Sequence, residues 1–120
     1  MSHLVHIASK VHDPAGVTAA CRRLGLPEPV QGTASFFSGE ATGLLVQLPG
    51  WQYPAVINTL TGVIHCDNYG GAWGAQEQLD RFMQAYLVEK TKLEARKHNH
   101  PVVEQVLENG SIKLLINEGY

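Results

Sequence analysis

Apolar positions at the start of the chain alternate at Val5, Ile7 and Val11, the two-residue period of a strand. The period then changes. Asp13-Pro14 supplies an acceptor for free amides and a residue suited to a first helical turn, and Val17, Ala20, Cys21 and Leu24 follow at i, i+3, i+4, i+7. Gly25 ends that helix, and Pro27 and Pro29 prevent its resumption. From Val30 to Asp67 no helical period survives. Short apolar stretches at Ala34–Phe37, Leu44–Leu48, Ala55–Thr59 and Val63–Cys66 read as strands paired in an antiparallel meander. A glycine-dense stretch, Asp67 to Gly74, precedes a helix expected from about Ala75 to Lys97, striped by Leu79, Phe82, Met83, Tyr86 and Leu93. Its charged last third should protrude or be largely solvated.

Asn109-Gly110 between two alternating segments predicts a two-residue type I′ hairpin. That turn would set Leu107 opposite Ile112, Gln105 opposite Leu114 and Val103 opposite Ile116. The expected architecture over residues 1–120 is a single α+β domain. It has one antiparallel sheet with both helices on one face, an elaborated ferredoxin-like plait.

Composition narrows the function classes. In 120 residues, Lys+Arg 9 against Asp+Glu 11 gives a net charge of −2, which makes no electrostatic case for nucleic acid or an acidic membrane. The longest apolar runs fall far below the ~20 residues of a membrane helix, and no signal peptide is visible. Cys21 and Cys66 on apolar faces point to free thiols in a reducing, cytoplasmic setting.

Several residues resemble those of a small family found in bacteria, cyanobacteria and algal plastids: Met1-Ser2-His3, Pro54-Ala55-Val56-Ile57-Asn58, Thr61-Gly62, His65 to Asn68, Trp73-Gly74, Tyr86 to Lys97 and Asn109 to Leu114. That family is a domain of unknown function which includes a hypothetical protein encoded on some chloroplast genomes. The resemblance implies a cytoplasmic or stromal protein working beside an AAA-type ATPase or ferredoxin-like partners. It implies no catalytic residue.

The candidate chemistry is sparse. His3 and His6 point to opposite faces of a strand, and His98 and His100 supply only two ligands, so no metal set is assigned among the six histidines. Cys66 and His65 diverge on a strand, which makes Cys66 a small buried hydrophobe rather than a nucleophile. The loop after the last meander strand is the place to look for a ligand, through His65, Asp67, Asn68, Gly70, Gly71 and Trp73. No nucleotide-binding glycine spacing occurs there, and no cofactor is identified. Phe37, Trp51 and Tyr53 are candidates for an exposed aromatic surface. The leading expectation is a non-catalytic module binding a protein partner or a second copy of itself, with a small metal- or ligand-binding protein as the alternative.

Overall fold

The computed structural model describes residues 5–8 in their backbone, and residues 11–36 and 39–116. Strand β1 (Val5–Ala8) leads to helix α1 (Pro14–Leu24), bracketed by the residues its sequence marked. The Asp13 carboxylate accepts from the Ala15 amide at 3.0 Å, and Gly25 takes the left-handed cap at φ 70°. Four strands follow: β2 (Val30–Phe36), β3 (Gly39–Val46), β4 (Ala55–Asn58) and β5 (Val63–Cys66). A one-turn 3-10 segment (Tyr69–Gly71) precedes the long helix α2 (Gln76–Lys97) and the hairpin β6 (Val102–Val106) and β7 (Ile112–Ile116).

The protein is α+β, and the five-stranded sheet is antiparallel throughout, in the order β1-β5-β4-β3-β2. This is a meander with β1 added at the far edge. It is not the interleaved order of the expected plait. Helix α1 carries the chain from one edge of the sheet to the other, so β5, β4 and β3 all lie between β1 and β2.

Both helices cover one face of the sheet. Val17, Ala20 and Cys21 of α1 join Leu79, Phe82, Ala85 and Tyr86 of α2 over Val46, Ala55, Ile57, Ile64 and Cys66. The helices meet closely because Gly16 has no side chain: a Cβ there would lie 2.9 Å from the Tyr86 ring. Alternation along the strands sends Ala34, Phe36, Ala41, Leu45 and Val56 to the opposite face, where they form a second, smaller cluster with Tyr53.

Two expectations are corrected by the C-terminal region. The hairpin does not join the main sheet but forms a separate two-stranded sheet lying along the helices. Ion pairs tie it to both helices. Glu104 of β6 pairs with Arg23 of α1 at 2.6 Å and with Lys92 of α2 at 3.1 Å, and Glu89 pairs with the same two cations. In the last third of α2, Lys90 to Leu93 are half-buried while Glu94, Arg96 and Lys97 stay exposed. The register is also one residue from that expected, with Val102 opposite Ile116 and Val106 opposite Ile112. Asn109-Gly110 closes a three-residue loop: the Gly110 amide donates to the Leu107 carbonyl, and the Leu107 amide donates to that of Ser111. Gly110 at φ 86° is the left-handed residue such a loop ends on.

Candidate functional site

The loop from Asp67 to Ala75 is built by its own polar side chains. Asp67, only 1% exposed, accepts the Tyr69 amide on Oδ1 at 3.1 Å, which turns the chain sharply after β5. The Asn68 carbonyl accepts from both Gly71 and Trp73, and its side chain donates to the Gly74 carbonyl at 3.2 Å. From the other side, the Gln52 amide donates to the Trp73 carbonyl, and the Trp51 indole donates to Ala75 at 2.9 Å. The loop is therefore held on two sides.

This closure places Trp51 in the core, 5% exposed, so it belongs to no surface patch. Gly74 makes room for it, since a Cβ at that position would lie 2.5 Å from the indole ring. Phe37 lies outside the described residues. Tyr53 is half-buried and belongs to a row of rings that spacing alone did not show. Phe36 and Tyr53 approach at 5.5 Å, Tyr53 meets Trp73 edge-on at 5.5 Å, and Tyr69 stacks on Trp73 at 4.6 Å with 22° between planes. The loop and the second face of the sheet, read separately in the sequence, are one surface. Tyr69 is its outer end, 39% exposed. Its backbone sits at φ 50°, a left-handed conformation that strains a residue with a side chain. Gly70 and Gly71, at φ 62° and 105°, complete the turn at no such cost.

The structure limits other chemistry. Cys66 is buried, and burial first, then the neighbouring Asp67 carboxylate, pushes its thiol up to about 11. At neutral pH it stays protonated and is no nucleophile. Cys21, likewise a buried free thiol, is raised to about 11 by burial and by Glu28. His65 is half-buried at mid-strand, opposite Val56 on one side and His6 on the other. Among the described residues no group of three or more His, Cys, Asp or Glu side chains converges as a metal site. An anion has little to gain at the start of α2, where Glu77 already occupies the first turn. One atom stands out. Asp67 Oδ2 is buried and accepts no hydrogen bond among the described residues, which is rare for a carboxylate removed from water.

Two open grooves lie elsewhere. One of about 260 Å³ at the end of α2 is lined by Lys92, Arg96, His100 and Val102, and one of about 400 Å³ lies beside Gln31, Thr42, Asn58 and Leu60. No helix among the described residues is long and apolar enough to cross a membrane. No protein-family model matches the chain, and neither a curated protein nor a solved structure matches it.

Proposed function

We propose that this chain is a non-catalytic protein-binding module, docking its partner on the surface that runs from Tyr69 over Trp73 to Tyr53. The observation that carries the reading is the continuous row of rings, with its exposed end, Tyr69, set in a strained turn. Aromatic side chains with few rotatable bonds supply large contact area at little loss of entropy, which is why they dominate binding hot spots. The family resemblance would place such a partner in the cytoplasm, beside an AAA-type ATPase or a ferredoxin-like protein. A photo-reactive phenylalanine analogue at position 69, expressed in the source cells, should capture a discrete protein, while the same probe at the exposed Leu60 turn should not. Tyr69→Ala should then weaken that partner about tenfold or more. Equal capture at both positions, or unchanged affinity, removes the reading.

Asp67 Oδ2 supports a second reading, a small ligand or cation held by His65, Asp67 and the glycine turn. Ligand binding to the native state alone raises the melting temperature. A metal and small-molecule panel that raises Tm in the native chain and not in Asp67→Asn would favour it; a flat response in both would discard it.

A further inference from the structure

Strand β2 is one of the two edges of the main sheet, and among the described residues it pairs only with β3; its sequence is Val30-Gln31-Gly32-Thr33-Ala34-Ser35-Phe36. Exposed edges are normally blunted by a lysine, a proline, a bulge or a covering loop. β2 carries no charged residue and no proline. Its pairing with β3 is continuous from Val30↔Leu45 to Phe36↔Gly39, so no bulge twists it away. It also leaves Val30 62% exposed.

The strand reads alike in both directions. Apolar, polar, small, threonine, small, polar, apolar is a palindrome of residue classes centred on Thr33. We infer that β2 is a self-association edge, pairing antiparallel with β2 of a second copy about a two-fold axis at Thr33. An isologous contact requires this self-complementarity. In that register exposed Val30 lies opposite Phe36 of the second copy, Gln31 opposite Ser35, Gly32 opposite Ala34, and Thr33 opposite its own equivalent.

The faces agree as well. Ala34 and Phe36 lie on the second face of the sheet, and Val30 and Gly32 share their alternation, so apolar meets apolar on one side. Gln31, Thr33 and Ser35 all lie exposed on the other side. The Thr33 hydroxyl already bonds that of Thr42 at 2.7 Å. Pairing at the axis would extend this into a four-threonine ladder across both copies, and no like charges would face each other anywhere along it. The inference rests on the sheet edge; it shares Phe36 with the aromatic row but does not need that row to bind a partner.

Analytical ultracentrifugation of the full chain tests it. The native protein should show a concentration-dependent mass of two chains. Thr33→Lys sets two cations face to face at the axis and should weaken the dimer about tenfold. The register is tested by two double variants. Gln31→Lys with Ser35→Lys opposes like charges twice and should abolish association. Gln31→Glu with Ser35→Lys opposes opposite charges and should retain it. All these positions are exposed, so far-UV circular dichroism should be unchanged, and a variant that fails to fold leaves the remaining comparison decisive. A native chain that is monomeric at every concentration overturns the inference, with β2 then open to a strand of another protein. So does a dimer that responds equally to both double variants.

Discussion

Gly74 shows how much one absent side chain decides. It lets Trp51 lie flat beneath the start of α2 and donate to Ala75. Gly74→Ala should destabilise the fold by about 1–3 kcal/mol in urea unfolding, the range for forcing an extra carbon into a packed core. Tyr86 does the reverse, reaching from the core to accept the Asp13 amide at 3.2 Å. Tyr86→Phe should cost about 1 kcal/mol by the same measurement. The two thiols make stability fall in alkali. Each is raised from 9.0 to about 11 on folding, so between those values the unfolded chain has lost protons that the native chain keeps. Their contribution is complete below pH 9 and declines as pH rises toward 11; Cys66→Ala should flatten part of that decline. At this scale the sequence was legible where a residue acts on its neighbours. Asp13 and Gly25 bound α1 as their chemistry dictates, and Cys66 is buried. It was not legible where a residue acts at a distance. Trp51, between Gly50 and Gln52 in a loop, reads as surface until Gly74 is brought against it.

Both helices follow from their apolar stripes and end signals, and β4 and β5 from short apolar runs, but β2 and β3 start at Val30 and Gly39, ahead of the Ala34 and Leu44 those runs mark. The remaining errors lie where two arrangements satisfy one pattern. Asn-Gly suits a two-residue turn, but it also suits the last two positions of a three-residue loop. The flanking strands do not break the tie, because apolar residues stand on both of their faces: Val102, Ile112 and Leu114 are half-buried, while Val103 and Leu115 are exposed. A slip in such a strand carries little penalty. What holds the hairpin is the cluster of Glu104, Arg23, Lys92 and Glu89, together with a Gln84 side-chain bond to Gly110. Hydrogen bonds from Arg23, then Lys92, hold the Glu104 carboxyl below its usual value. That contribution is present above the unfolded carboxyl's pKa and is lost as pH falls through the lowered one. Glu104→Gln should therefore raise amide exchange across residues 102–116 at neutral pH while leaving exchange in β3 to β5 unchanged. In acid strong enough to protonate that lowered carboxyl, the native protein should come to resemble the variant.

For the whole molecule, fold class was readable and strand order was not. Alternation says which face a residue joins, never which neighbour its strand takes. Consecutive strands β2 to β5 pair locally, as short connections favour, but β1 could have entered at either edge or between two strands. It takes the edge beside β5, where Val5 faces Cys66 and Ala8 faces Val63. That placement has a consequence in time. On the ribosome β1 is synthesised before any other described strand, yet its partner is the last strand of the sheet to emerge. Until Cys66 has cleared the exit tunnel, β1 has no ladder to join, whereas each hairpin of the meander can close as it appears. Closing the larger loop also loses more chain entropy. In refolding, pulsed hydrogen exchange should find the β3–β4 amides protected before those of Val5–Ala8, and simultaneous protection would show that the sheet closes in one step. The first of these strands to be made would then be the last to be secured, and the natural client for whatever shelters this protein while it is being made.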